Sequence, residues 1–332
     1  MADITRRKFA AVALGGAAGV AAAPFDAPAQ TGGSKPFRYV HLDVFTDRRL
    51  QGNQLLVYTD PSGLDTDTMQ ALTRESNFSE NTFVLPAEQA GTNFHVRIFT
   101  RTAEAPFAGH PTIGTAFALA HTGALKPGTS RTTFQLGVGP TPLDLEWKDG
   151  KLAFAWMTQQ KPTFGKTAAD AAALAAAIGV DASAIDSRAP AQEVYSGSNF
   201  FVVPLTTRKA VDAAALDRAK LDALFSAAGI QRRGVYIFST ERGQDDASAY
   251  SRLLSTGGIE DPATGSAAGP AGCFIAKNRL LGSSSGQIVF LQGVLVRRPS
   301  RLHVRVDGLG DAVSGVKVGG AAAVVGEGTM MP

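Results

Sequence analysis

Phe107-Ala108-Gly109-His110-Pro111-Thr112 and Ile259-Glu260-Asp261-Pro262-Ala263-Thr264-Gly265-Ser266 are the stretches that decide the fold. Each is a glycine-containing turn, and each opens onto a run of small and apolar residues, Thr112–His121 in the first case and Ala267–Ala276 in the second. A helix that is apolar on nearly every side belongs in the middle of a core. Pro270 fits the second helix only within its first turn, where a missing amide hydrogen does no harm. Two such helices behind similar turns predict two similar halves, each a sheet wrapped around a central helix, although no residue-by-residue repeat is evident.

The segments around these helices supply the sheets. Short alternating or apolar runs at Phe37–Phe45, Gln54–Tyr58, Thr82–Leu85 and Phe94–Thr100 are bounded by Gly, Pro, Asn or Asp and read as strands. A second set follows at Thr132–Leu136, Pro142–Trp147, Leu152–Met157, Phe200–Pro204, Val235–Ser239, Ile288–Leu291 and Arg301–Val306. Amphipathic helices are predicted at Asp67–Ser76, Thr167–Ile178 and Asp217–Ala228. Strands outnumber helices and many connections are short, which predicts a mostly antiparallel α+β protein. Gly137-Val138-Gly139-Pro140 is the expected break between the halves, 36–140 and 141–319, with 320–332 expected to complete the first.

The 332 residues are 44% hydrophobic and 18% charged, enough for a large core and unlike a disordered chain. Thirty-two basic and 29 acidic residues leave a net charge of +3, too weak and too evenly spread for a nucleic-acid surface. The amino terminus reads as an address. Thr5-Arg6-Arg7-Lys8-Phe9 leads into the uncharged run Ala10–Ala23, a pattern that resembles a twin-arginine export signal. That run is shorter than the roughly 20 residues a membrane span needs. Ala27-Pro28-Ala29 offers a small-x-small cleavage site, so residues 1–29 are expected to be removed and the mature protein to work in the periplasm or beyond, free of the membrane.

Several chemistries lack their sequence support. There is no G-x-G-x-x-G after a strand and no phosphate-binding G-x-x-x-x-G-K-S/T, and the letters G-x-S-x-G at 282–286 precede the Ile288–Leu291 strand and do not join a strand to a helix, so a nucleophile elbow is missing. The histidines form neither H-x-H nor H-E-x-x-H; His41 and Asp43 are the one weak metal-ligand pair, and no metal or cofactor is expected. Cys273 is the single cysteine, which excludes a disulfide framework and a two-thiol epimerase, and its place in an apolar helix predicts an inert thiol.

Three segments remain that packing alone does not explain. Glu80 sits in Asn77-Phe78-Ser79-Glu80-Asn81-Thr82-Phe83 between a helix end and a strand; by itself it reads as a cap or a solvent-facing carboxylate, the commoner case for a lone glutamate. His110 reads equally as a turn residue, and Asp261 as an ordinary helix-start residue before Pro262. Together they read differently. Helix starts carry unpaired N–H groups and partial positive charge, so two of them, at Gly109 and at Gly265-Ser266, facing one cleft would hold a small carboxylate. Glu80, desolvated there, would have its pKa raised toward neutrality and would both take and return a proton, with His110 and Asp261 orienting the substrate or carrying a second proton.

Five strings are similar, in order, to the PhzF-like phenazine-biosynthesis family, a relative of diaminopimelate epimerase. They are Asp43-Val44-Phe45-Thr46, Gly52-Asn53, Ser79-Glu80-Asn81-Thr82-Phe83, Phe107-Ala108-Gly109-His110-Pro111-Thr112 and Glu260-Asp261-Pro262-Ala263-Thr264-Gly265-Ser266-Ala267-Ala268. Leu291-Gln292-Gly293-Val294 with Arg298-Pro299-Ser300 extends the likeness toward the carboxyl end. The resemblance implies two barrel-like halves, a cleft between them, and a cofactor-free isomerase that is a homodimer. It places the family's catalytic glutamate on Glu80, its Gly-His pair on Gly109 and His110, and the aspartate and serine of the second helix start on Asp261 and Ser266. In the phenazine enzyme these groups isomerise trans-2,3-dihydro-3-hydroxyanthranilate. Two features separate this chain from that enzyme: an export signal, and Tyr195-Ser196-Gly197-Ser198-Asn199-Phe200 where the phenazine enzyme carries basic residues. The expectation is therefore an isomerase of a small carboxylate, against a non-catalytic small-acid binding protein of the same fold.

Overall fold

The computed structural model describes residues 35–168, 170–231, 233–254, 260–282 and 287–332. The segment 1–29, expected to be an export signal, lies outside the described residues. Pro36–Pro332 forms one compact unit. Among the described residues no helix is long and apolar enough to cross a membrane.

The strand pairing repeats itself. In the first half, Phe37–Val44 lies antiparallel between Ala322–Met330 and Asn53–Tyr58. The order continues to Glu80–Pro86 in parallel, to Phe94–Thr100 antiparallel and to Arg131–Leu136 in parallel. Two antiparallel steps, to Gly139–Lys148 and then Lys151–Thr158, complete it. The second half begins with two antiparallel steps, Thr163–Thr167 to Gln192–Tyr195 to Asn199–Leu205. It goes on in parallel to Val235–Ser239, antiparallel to Ala249–Leu254 and in parallel to Ile288–Gln292. Antiparallel steps to Ser300–Asp307 and Gly315–Gly320 close it. The two series of directions are the same, so the halves are pseudo-symmetric even though their sequences are not visibly repeated. Lys151–Thr158 pairs with Gly315–Gly320 and joins one half to the other.

The two apolar helices occupy the same place in each series, as the crossover within the second parallel pair. They span Gly109–His121 and Gly265–Lys277, and nearly every residue of both is buried. Parallel neighbours need such a crossover, and a sheet that curls around it demands a helix without a polar face. Each helix starts earlier than its apolar run suggests. Consequently Pro270 lies in the second turn of its helix and not in the first, where it removes the amide that would bond the Ser266 carbonyl. The Gly137–Pro140 stretch is the turn of a hairpin, so the first series runs on through Thr158 and the halves divide between Thr158 and Thr163. The expected helix from Thr167 begins at Ala171 instead, because the Asp170 carboxylate caps it by accepting from the Ala173 amide, and Thr163–Thr167 is a strand.

The two central helices touch at their first residues. A Cβ built on Gly109 would lie 2.5 Å from the Gly265 Cα and 2.5 Å from the Ser266 nitrogen, both rigid backbone atoms. Only glycine lets the two backbones approach so closely. Gly109→Ala should therefore destabilise the protein by about 1–3 kcal/mol in urea unfolding, whereas Gly326→Ala, with nothing within 4 Å of its Cβ, should be near neutral. Equal stability of the two variants would show that the helix starts are not in contact.

Candidate active site

The helix starts open onto a cavity of about 640 Å³ whose lining includes Glu80, Gly109, His110, Asp261, Gly265 and Ser266. All six residues singled out in the sequence thus share one cleft, built from both halves. A second cavity of about 510 Å³, lined by Arg48, Phe154, Arg301 and His303 among others, contains none of them.

Both helix starts lack a side-chain cap: Ala108 has no side-chain acceptor to offer, and Thr264 turns its hydroxyl to Asp261 instead. The other four α-helices among the described residues are each capped, by Asp65, Asp170, Thr207 and Asp217. The two ends that meet in the cleft are therefore the ones with no side-chain acceptor over their first turns, and the dipole of each helix adds positive potential there.

Asn53, at the start of the strand Asn53–Tyr58, ties the halves together. Its amide nitrogen donates to Asp261 Oδ1 at 2.6 Å and to the Ala263 carbonyl at 2.9 Å, and lies 3.1 Å from His110 Nδ1. A latch beside it holds the preceding loop. Arg298 pairs with the buried carboxylate of Asp43 and donates to the Gln51 and Gly52 carbonyls at 2.7 Å each, while Asp43 also accepts from the Leu50 amide. Asp43 is thus committed to Arg298, and the weak His41–Asp43 metal reading has no support here; no cluster of metal-ligating side chains occurs among the described residues. Thr264 Oγ1 donates to Asp261 Oδ2 at 2.6 Å, and Gln292 donates to the Asp261 carbonyl and to Thr264 Oγ1.

Glu80 begins the strand Glu80–Pro86, just after Asn77 has turned the chain with a left-handed φ of 54°. Its side chain is 21% exposed. Burial pushes its pKa up to about 7, helped by the negative charge of Asp261 and opposed by a hydrogen bond from Ser79. Asp261 is raised to about 6, again by burial, and held lower than Glu80 by the hydrogen bonds from Thr264 and Asn53. Two carboxylates in one desolvated cleft resist double ionisation, and the one with more donors keeps the charge. His110 Nε2 lies 3.6 Å from Glu80 Oε2. Burial lowers the His110 pKa to about 3, so the ring is neutral and the contact is not an ion pair.

Three groups in the cleft carry weight that the sequence reading did not give them. Asn53 is the cross-half clamp just described; its motif was noted but its role was not. Ser79 Oγ donates to Asn53 Oδ1 at 3.3 Å. Arg101 lines the cavity and makes no hydrogen bond or ion pair among the described residues, and a lone basic residue in a loop carries no sequence signal. Glu260, by contrast, is bound by Arg252 at 2.8 Å. Cys273 is packed within the second helix with its thiol pKa pushed up to about 12 by burial, an inert core residue.

With this geometry in place, the comparisons fall on one family. The family model described as phenazine biosynthesis-like protein matches residues 42–328. The chain belongs to that family. It is 38% identical over 296 residues, covering 88% of this chain and 98% of the other, to a Pseudomonas aeruginosa protein named trans-2,3-dihydro-3-hydroxyanthranilate isomerase. A crystal structure of a predicted epimerase from Pseudomonas aeruginosa superposes with a TM-score of 0.73 at 32% identity, covering 89% of this chain and 99% of that one. A Bacillus anthracis phenazine biosynthesis protein of the same family gives a TM-score of 0.79 at 24% identity, over 90% and 100% of the two chains, which supports the fold. The phenazine biosynthesis-like fold and its isomerase class therefore apply to this chain.

The raised pKa of Glu80 has a consequence for stability. In the unfolded chain its carboxyl titrates near 4.5, in the fold near 7. The stability conferred by keeping it protonated is present below pH 4.5 and is lost as the pH rises through 7. Glu80→Gln, which mimics the protonated form, should match the wild type at pH 4 and exceed it by about 3 kcal/mol at pH 9 in denaturant titrations. A difference independent of pH would show that Glu80 titrates normally.

Proposed function

We propose that this protein is an isomerase of a small carboxylate, with Glu80 as the group that takes and returns a proton between two carbons. The observation that carries the proposal is Glu80 itself, desolvated beside Asp261 in the cleft where two uncapped helix starts meet. Its pKa near 7 makes both protonation states available near neutral pH.

In the proposed reaction the substrate carboxylate lies against the first-turn amides at Gly109 and at Gly265 and Ser266. The Glu80 carboxylate takes a proton from one ring or chain carbon. The C–H electron pair enters the adjacent π system, a double bond shifts, and the Glu80 acid returns the proton to a second carbon. Atoms and electrons balance without a further reactant. Charge that accumulates on the conjugated system is stabilised by the same helix starts that hold the carboxylate.

His110 acts as a neutral partner. Asn53 has two amide hydrogens, and its two shorter contacts, to Asp261 and Ala263, use both. That leaves Nδ1 to carry the ring's own proton. Nε2, which has no hydrogen-bond partner, then presents a lone pair toward Glu80 and supports its protonated form. Asp261 holds the negative charge of the pair and keeps Asn53 and Thr264 in register.

The substrate class follows from the relative named trans-2,3-dihydro-3-hydroxyanthranilate isomerase together with the anion-binding helix starts: a small cyclic or amino acid carrying a carboxylate. The sequence around Arg6-Arg7 further supports export by the twin-arginine route with activity in the periplasm, and family resemblance supports a homodimer. An isomerase of this kind should incorporate solvent deuterium into a carbon of trans-2,3-dihydro-3-hydroxyanthranilate or of another member of a cyclic-acid panel. Glu80→Gln should lower the exchange rate about 10²–10⁴-fold and remove the rising limb of the pH–rate profile between 6 and 7. Exchange that survives in Glu80→Gln would remove Glu80 from the chemistry.

A further inference from the structure

Two guanidinium groups line the cleft, those of Arg101 and Arg298. Arg298 is already paired with the Asp43 carboxylate, and its Nε and Nη2 donate to the Gly52 and Gln51 carbonyls. Arg101 is not. Among the described residues it makes neither a hydrogen bond nor an ion pair, although its charge is felt at Glu80, where it favours the ionised form.

The backbone under Arg101 is held firmly. It follows Thr100, the residue directly opposite Glu80 in the antiparallel ladder. Thr100 closes a tight turn: its hydroxyl donates to the Ala103 carbonyl and accepts from the Thr102 and Ala103 amides, and its own amide bonds the Ala103 carbonyl at 2.8 Å. Gln70 donates to the Thr100 carbonyl at 2.7 Å from the neighbouring helix. A pinned turn therefore presents a half-buried cation with five free N–H donors to the edge of an acid-containing cleft. A guanidinium so placed is suited to a planar anion held by paired hydrogen bonds.

The cleft thus has two positive poles on different elements: the joined helix starts at Gly109 and Gly265, and Arg101 on the turn beside Glu80. We infer that Arg101 is the specificity-determining residue of this site and that the substrate carries two separated acidic groups, one for each pole, making it a small dicarboxylate. This rests on the isomerase reading for the assignment of a substrate, but the recognition itself is measurable without turnover. A ligand with one carboxylate would leave one pole without a counter-charge.

Aromatic acids have no proton on a saturated ring carbon for Glu80 to take, so they separate recognition from catalysis. Anthranilate has one carboxylate; 3-aminophthalate, 2-aminoisophthalate and 2-aminoterephthalate add a second at three positions. In calorimetric titrations of the full-length protein, at least one dicarboxylate should bind tenfold or more tighter than anthranilate. Arg101→Gln should erase that advantage while anthranilate affinity falls by no more than threefold, and Arg101→Lys should retain part of it. The inference is overturned if no dicarboxylate outbinds anthranilate, if Arg101→Gln weakens both classes alike, or if it merely shifts the pH dependence of binding. Deuterium exchange distinguishes the two readings. Arg101-dependent dicarboxylate binding with no exchange on the dihydro-acid and cyclic-acid panel or on the matching dihydro-dicarboxylates leaves Arg101 standing and removes the isomerisation. Exchange with no Arg101-dependent preference does the reverse.

Discussion

The contact between Gly109 and Gly265 is the constraint on which the rest depends. Two helices, each at the heart of its own curled sheet, meet end to end because neither has a side chain at its first residue. Their positive ends then face the same space, and neither is capped by its own chain. A single helix start is a weak anion site; two that abut double the number of free amides and concentrate the field in one place. The pseudo-symmetric strand order brings this about, since it sets both helices at the same crossover of equivalent sheets.

Around that junction the acids are sorted by their hydrogen bonds. Asp261 receives donors from Asn53 and Thr264 and so holds the charge, while Glu80, desolvated and facing a neutral imidazole, holds a proton up to about pH 7. The asymmetry gives one carboxyl a structural duty and, in the proposed reaction, leaves the other to move the proton. Asn53 and Arg298 each reach from one half to the other, so the spacing of the acids is set by the same contacts that fix the halves together. The acid pair and the anion site are two outcomes of one packing arrangement.

Much of this is legible in the residues because the signals are local. A run such as Thr112–His121 with no polar face can only be a core helix, and its glycine-bearing start predicts an uncapped turn. Glu80, His110 and Asp261 stand out because each lies at a junction of elements where packing does not require it. Other features are legible only in three dimensions. The Gly137–Pro140 turn looks like a boundary because glycine and proline mark hairpins and linkers alike, and only strand pairing tells them apart. Pro270 falls in a second turn because the helix begins at Gly265, before its apolar run, which is a capping property rather than a hydropathy one. Arg101 leaves no trace in sequence, since an unpaired guanidinium is defined by partners it lacks.

The account turns on Glu80 titrating near neutral pH inside the cleft. Carbon-13 NMR titration of the glutamate side-chain carboxyls, with the Glu80 resonance assigned by its disappearance in Glu80→Gln, reads that directly. The account predicts a midpoint near 7, with a smaller inflection near 6 as Asp261 titrates alongside. A midpoint near the ordinary glutamate value of 4.5 would contradict it.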